Sequence, residues 1–281
     1  MLQTIKRALL NRVAAQQVGA VRDILNGETL TLVDVGAAGG IEPRWKPYAP
    51  LLDYIAFEPD AGAYERISNP VFHSHEIIPK ALWSTEGPLT IHISREEGKS
   101  SHYPPNMDLM RRYPRPERIE TVKTVTVPAV RMDDVLRDHR CDFIKIDTQG
   151  AELEILKGAT GILPRCIGLE LEVEFLPIYQ EQPLFGDLCV YLAERGFEFV
   201  DFLHLARWER DGFTDVGQCM FGDALFLRTG QVDTPQYRAV LTIYERLDLL
   251  HRVDPAVGTR RRKAAAKRRI TRFVRNVLEV L

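Results

Sequence analysis

Seven charged side chains stand in runs that are otherwise apolar. Asp34 interrupts LVDVGAAGG (32–40) and Glu58 closes YIAFEP (54–59). Lys145 and Asp147 sit in FIKIDTQG, and Glu170, Glu172 and Glu174 alternate through LELEVEF (169–175). Burying a charge is costly unless a partner or ligand meets it, so each of these positions implies one or the other. An acid at the end of a second strand, as Glu58 is, can accept both hydroxyls of a ribose. Asp34 lies just before a turn of small residues, where it would repel a pyrophosphate. It would instead attract the ammonium of a zwitterionic methionine moiety, directly or through water. A purely structural role remains open, in which Asp34 caps the turn that follows.

The turn Gly36-Ala37-Ala38-Gly39-Gly40 permits close approach of a ligand to the backbone. It has neither the GxGxxG spacing of a dinucleotide site nor the GxxxxGK[ST] of a P-loop. Lys145 and Asp147 share one face of a strand that runs into the helix start Gly150-Ala151-Glu152. The carboxyl ends of parallel strands are where α/β proteins place ligands and chemistry. The competing reading makes Asp147 a helix N-cap and Lys145 the partner of a neighbouring Glu. Glu170, Glu172 and Glu174 share one face if their strand is extended. That face either surrounds a ligand, meets solvent or pairs with Lys145.

The elements that carry these residues alternate. TLTLVDVG, YIAFEP, EIIPKALW (76–83), CDFIKID (141–147), CIGLELEVE (166–174), FEFVDFLH and GDALFLR (222–228) read as strands. AGAYERI, RMDDVLRD, GAELEILKGATGIL (150–163) and PLFGDLCVYLAERG (183–196) read as helices. Strands alternating with helices predict an α/β fold, a mostly parallel sheet with helices on both faces. PLTIHIS (88–94) and TVKTVTVPAV (121–130) predict a small antiparallel insertion within 84–130. The Pro- and Arg-rich segment between them reads as a long loop, and such loops are functional lids or disordered. No internal repeat is visible. The expected organisation is an N-terminal helical extension over 1–28, a single domain over 29–230 and a C-terminal helical extension over 231–281.

The chain has 281 residues, 45% of them apolar and 27% charged, as in ordinary water-soluble domains. No run of about 18 apolar residues occurs, and the first residues are too often charged for a secretory leader. Cys141, Cys166, Cys189 and Cys219 have no CxxC or zinc spacing and read as reduced core thiols in a cytoplasmic protein. Residues 251–281 carry ten Lys/Arg against two Asp/Glu, while the other 250 residues carry 27 against 37. An acidic body with a basic tail argues against a nucleic-acid-binding core.

DVGAAGG, FEPD, KALW, the Ser-Ser of GKSSH, KIDTQGAELEILKGA and the closing GDALFLR, in that order, resemble the FkbM family of S-adenosylmethionine-dependent methyltransferases. The resemblance runs from about residue 31 to 228, and KIDTQGAELEILKGA is its most specific part. It implies a Rossmann-like methyltransferase fold, a seven-stranded mostly parallel sheet with a reversed last strand. It also implies O-methylation of a hydroxyl on a sugar, glycolipid or polyketide. Carried over by position, Asp34, Gly36, Ala37 and Gly39 line the methionine end with Asp147, Glu58 and Pro59 meet the ribose, and Ala81 and Leu82 flank the adenine. Many family members have Glu where this chain has Gln149. The rival readings are a non-catalytic module of the same fold and an NAD-dependent oxidoreductase.

An alcohol of high pKa needs a base or a metal to give up its proton. Asp147 and Glu172 end neighbouring strands. Either one carboxylate of the group is the base, or the pair holds a divalent cation that acidifies the hydroxyl. Glu174 and Lys145, beside them, are candidate acceptor-binding residues. His102, beside Ser100 and Ser101 on the long loop, is a further candidate base, and the two serines are candidate acceptor ligands. Arg111, with Arg112, Arg115 and Arg118, would receive an anionic acceptor; alternatively these arginines form a solvated face.

In the tail, Ile270, Phe273, Val274, Val277, Leu278 and Leu281 form one apolar stripe behind a basic cluster. Such a helix lies on an anionic membrane beside a lipid-linked acceptor, docks on its own chain, or pairs two subunits into a homodimer. The N-terminal stripe Leu2, Ile5, Leu9 and Val13 offers a matching surface for docking.

Overall fold

The computed structural model describes residues 2–60, 62, 71–210, 216–230 and 232–255, with side chains from residue 14 onward. The helix read at AGAYERI, the tail stripe and the side chains of Leu2, Ile5, Leu9 and Val13 lie outside the described residues. The chain forms two compact units, Glu28–Gly230 and the pair of terminal segments Met1–Gly27 and Gln231–Leu281.

The larger unit is built on a seven-stranded sheet in the order β3-β2-β1-β7-β8-β10-β9. Its strands are β1 (Leu30–Val35), β2 (Leu52–Phe57), β3 (Ser74–Ile78), β7 (Phe143–Ile146), β8 (Gly168–Glu174), β9 (Phe197–Trp208) and β10 (Gln218–Arg228). β3, β2, β1, β7 and β8 run parallel, and β10 runs antiparallel to both its neighbours. The last strand in sequence is therefore reversed, as the resemblance implied. A second sheet has the order β4-β6-β5, formed by β4 (Ala81–Leu82), β5 (Gly87–Ser94) and β6 (Thr121–Val130). β5 pairs antiparallel with β6, while β4 pairs parallel with it.

Strand alternation sorts the large sheet into two chemically different faces. Val33, Val35, Ile144, Ile146, Leu169, Leu171 and Val173 form one apolar cluster with Met132 of α3 (Met132–Val135), Ile155 of α4 (Glu152–Lys157), and Leu188 and Leu192 of α5 (Phe185–Ala193). Asp34, Lys145, Glu170, Glu172 and Glu174 hold the intervening positions and face the other way.

Four readings change. EIIPKALW is two strands: Ile78 ends β3, Pro79 cannot donate to a ladder, and Ala81–Leu82 joins the second sheet. The segment between β5 and β6 is a packed element, with the short helix α2 (Met107–Met110) and a 3-10 turn over Pro116–Ile119. Leu109, Met110, Tyr113 and Ile119 anchor it to Ile178, Tyr179 and Met220. Those apolar residues are too widely scattered among Arg and Pro to show a period. The helix expected over 150–163 is only Glu152–Lys157 and gives way at Gly158, where a Cβ would overlap the Trp83 carbonyl. Finally, only Cys141 and Cys166 are fully buried, their sulfurs 3.3 Å apart in a thiol hydrogen bond and not a disulfide. Cys189 and Cys219 are half-exposed.

In the smaller unit, α1 (Leu2–Leu25) packs on α6 (Pro235–Ile243), which adjoins α7 (Leu247–Val253). Thr234 caps α6 by accepting from the Tyr237 N–H at 3.1 Å, and Gln17 Nε2 donates to Glu245 Oε1 at 3.0 Å. No described helix is long and apolar enough to cross a membrane.

Candidate active site

The charged face is organised around Lys145. Across the parallel strands Asp34 is the register partner of Lys145, and Lys145 is the partner of Glu170. Lys145 Nζ lies 3.4 Å from Asp147 Oδ2 and 3.9 Å from Asp34 Oδ1. These carboxylates hold its pKa up although burial alone would lower it. Asp34 is buried, and Tyr54 donates to its Oδ2 at 2.8 Å. Its Oδ1 is buried without a hydrogen-bond partner. Burial raises the Asp34 pKa, against the pull of Lys145 and Tyr54.

The small-residue turn follows directly. The Gly36 and Ala37 N–H groups both donate to the Phe57 carbonyl, which ties the turn to the end of β2. Gly36 has φ +82°, and a Cβ there would run into the Asp147 carbonyl oxygen. Only glycine allows the end of β1 to press against the end of β7. Gly39 faces open space. At the end of β2, Glu58 is buried and its Oε1 accepts from the Asp60 N–H at 2.9 Å. Pro59 beside it is exposed.

Beyond β7 the chain makes a constrained turn, with Gln149 at φ +56° and Gly150 at φ +98°. Non-glycine residues take such a conformation rarely, and mostly where surrounding contacts enforce it. Here Ser101 Oγ donates to the Gln149 carbonyl at 2.6 Å, and Tyr179 Oη donates to Gln149 Oε1 at 3.0 Å. Gln149 Nε2 then donates to Glu172 Oε2 at 2.5 Å and reaches Asp147 Oδ1 at 3.5 Å. One neutral amide thus bridges the two carboxylates. Glu152, at the start of α4, accepts from the Thr148 N–H and hydroxyl at 2.8 and 2.9 Å.

Asp147, Gln149, Glu172 and Glu174 form the acidic side of a cavity of about 270 Å³, and Lys99, Tyr179, Trp208 and Phe221 form the rest of its principal wall. The carboxylates crowd one another. Burial, reinforced by the charges of Asp147, Glu174 and Glu152, drives the Glu172 pKa well above its ordinary value. Burial and the charges of Glu152 and Asp147 do the same to Glu174, and burial pushes Glu152 up to about 7. Asp223 of β10, the register partner of Glu172, is also raised, by burial first. Among the described residues, no three His, Cys, Asp or Glu side chains are grouped to hold a metal ion.

Residues 34–199, which contain the turn, both acidic strands and the cavity floor, match the methyltransferase FkbM domain model. The chain belongs to this family. It is therefore a methyltransferase that depends on S-adenosylmethionine. No curated protein matches the chain. Solved structures similar to it include the S-adenosylmethionine-bound magnesium protoporphyrin IX methyltransferase of Synechocystis, at 10% identity over 82% of this chain and 84% of that one, TM-score 0.36. A precorrin-6y C5,15-methyltransferase of Geobacter metallireducens is 10% identical over 75% and 87%, TM-score 0.37. A TehB-like methyltransferase of Corynebacterium glutamicum is 11% identical over 81% and 97%, TM-score 0.35. These likenesses are remote, and the family match stands without them.

In this FkbM methyltransferase the sequence-predicted residues do not all meet. Asp34, Gly36, Ala37, Lys145, Asp147, Glu172 and Glu174 gather at the carboxyl ends of β1, β7 and β8. Ala81 and Leu82 are buried in the second sheet, paired with Ala129 and Val130. The long-loop residues lie elsewhere. Ser100 Oγ accepts from the Ser94 N–H at 3.1 Å and so closes a local turn, and the Ser101 hydroxyl is committed to Gln149. His102 donates through Nδ1 to the Thr90 carbonyl at 2.9 Å and packs on Trp83, away from the cavity wall. Arg111 pairs with exposed Asp108 and borders a separate open depression with Asn106 and Glu181. Arg112 is exposed, Arg115 pairs with Glu96 at 3.4 Å, and Arg118 lies 4.0 Å above the Trp208 ring.

Gln149, Tyr179 and Trp208 line the cavity but are not among the sequence-predicted residues, and Asp223 stands beside Glu172 across the strand pair. Gln149 is visible within the specific block KIDTQGAELEILKGA. Tyr179 follows β8 in an aperiodic loop, and Trp208 ends an unusually long strand, so neither carries a signal in sequence.

Proposed function

We propose that the protein transfers the methyl group of S-adenosylmethionine to a hydroxyl of a sugar, glycan, glycolipid or related natural-product acceptor. The observation that carries this reading is the position of Asp147. Its main chain supports the Gly36 turn, while its carboxylate faces the acidic cavity.

The residues fit the cofactor. Gly36, Ala37 and Gly39 would give it close backbone approach, and Asp34 Oδ1, which lacks a hydrogen-bond partner, would accept from its ammonium through water. Glu58, held by the Asp60 N–H, would meet the ribose hydroxyls with Pro59 alongside. Ala81 and Leu82 would supply apolar surface to the adenine side. When bound, the cofactor supplies an electrophilic methyl group on a sulfonium. Everything else falls to alignment and proton removal.

Glu172 takes the hydroxyl proton. Its raised pKa brings a carboxylate nearer the basicity that an alcohol demands, and Gln149 fixes one of its oxygens. Lys145 holds Asp147, so the group joining the two halves of the site does not swing. Tyr179, Trp208 and Phe221 wall the acceptor from water. Mass spectrometry after incubation with S-adenosylmethionine and a glycan panel tests the reading. A gain of one methyl on a hydroxyl supports it. Tight binding of NAD with no binding of S-adenosylhomocysteine overturns it.

A further inference from the structure

We infer that the acceptor carries a protonated amine as well as its hydroxyls, and that Glu174 receives this amine; the inference rests on the reading above. Glu174 is 2% exposed, borders the cavity, and its Oε2 has no hydrogen-bond partner. A buried carboxylate oxygen left unpaired is costly, and an incoming donor relieves that cost. A cation relieves more, because three carboxylates face the same cavity, backed by Glu152 and Asp223.

The cations near the cavity are already committed. Lys145 pairs with Asp34 and Asp147, and Lys99, although it lines the cavity, pairs with Glu96 at 3.7 Å. Arg118 stacks on Trp208. The remaining wall is apolar, with Tyr179, Trp208 and Phe221 beside Ile119 and Ile178, and the aromatic faces attract ammonium groups as well as the apolar faces of sugar rings. An anionic acceptor would meet carboxylates here, since Arg111 borders a different depression. Along the extended strand Glu174 stands about 7 Å from Glu172. That is roughly the width of one substituted ring, with a hydroxyl at Glu172 and an amine at Glu174.

The test measures binding of glucosamine, glucose and glucuronic acid to the full chain saturated with S-adenosylhomocysteine, near neutral pH, by titration calorimetry. Glucosamine is expected to bind at least about ten-fold more tightly than glucose, a gap of about 1.4 kcal/mol, with glucuronic acid weakest. In Glu174→Gln the glucosamine preference is expected to vanish while affinity for S-adenosylhomocysteine is unchanged. Should that variant not fold, Glu174→Asp, which draws the carboxylate back by one methylene, is expected to shrink the glucosamine preference with affinity for S-adenosylhomocysteine unchanged, and an undiminished preference overturns the inference. Equal affinities, a preference for glucuronic acid, or no binding of any sugar overturns the inference. Methyl transfer to a neutral hydroxyl without any amine preference would remove this inference and leave the proposed function standing. Failure to bind S-adenosylhomocysteine would remove the function itself.

Discussion

Gln149 Nε2 stands 2.5 Å from Glu172 Oε2, joining a residue strained into the left-handed region to the buried acid at the cavity floor. Removing that donor leaves a buried charged group short of a partner, which costs about 1–3 kcal/mol. Gln149→Leu is expected to lower kcat by about ten- to a hundred-fold. Cofactor affinity should stay the same, because Gln149 lies on the acceptor side of Asp147. Turnover kinetics alongside titration of S-adenosylhomocysteine separate the two effects. Equal loss in both would make Gln149 a fold residue only.

Gly36 and the Asp147 carbonyl leave no room for a methyl group between them, and Gly36 also has positive φ. Gly36→Ala is expected to destabilise the protein by more than about 1 kcal/mol. It should also abolish cofactor binding, since the turn and the end of β7 must separate. Gly39→Ala, where the added Cβ meets open space, is the comparison. Thermal melting and cofactor titration of both variants check this, and equal behaviour would contradict it.

Raised acid pKa values give opposite pH trends in stability and in rate. Glu152 holds a proton in the folded chain up to about pH 7, against 4.5 for the free side chain. Across that window the native state binds a proton the unfolded chain has released, so stability falls as pH rises. Glu172 and Glu174 act in the same direction. Denaturant melts across the window should show this decline, and Glu152→Gln should make it shallower. The rate should rise instead, because Glu172 must lose its proton to act as base. Its pH profile should have a limb well above the ordinary carboxylate range, absent in Glu172→Gln.

Chelation should leave turnover unchanged. The Gln149 amide sits between Asp147 and Glu172, where a bridging cation would have to lie, and Lys145 already neutralises Asp147 from the other side. Rates with and without EDTA decide this, and a loss restored by magnesium would show that a cation displaces the amide.

Much of the sheet was legible because its strands obey a period of two. Leu169, Leu171 and Val173 had to face helices, which left Glu170, Glu172 and Glu174 together on the opposite side. Whether that side met solvent or a closed cavity was not legible. The answer depends on Tyr179, Trp208 and Phe221, brought in by a loop, a strand end and the reversed strand. The segment 96–120 hid its packing for a related reason. Leu109, Met110, Tyr113 and Ile119 have no common period, and their burial depends on Ile178 and Met220, distant in sequence. His102 and Ser101 show the converse: both types suit chemistry, yet backbone carbonyls occupy them.

The most direct test of the central claim is methyl transfer from S-adenosylmethionine carrying a carbon-13 methyl, read by two-dimensional NMR of the acceptor pool. The account predicts a labelled methyl ether on a hydroxylated acceptor, lost in Glu172→Gln while S-adenosylhomocysteine still binds. A label on nitrogen or carbon, or undiminished transfer by Glu172→Gln, would contradict it.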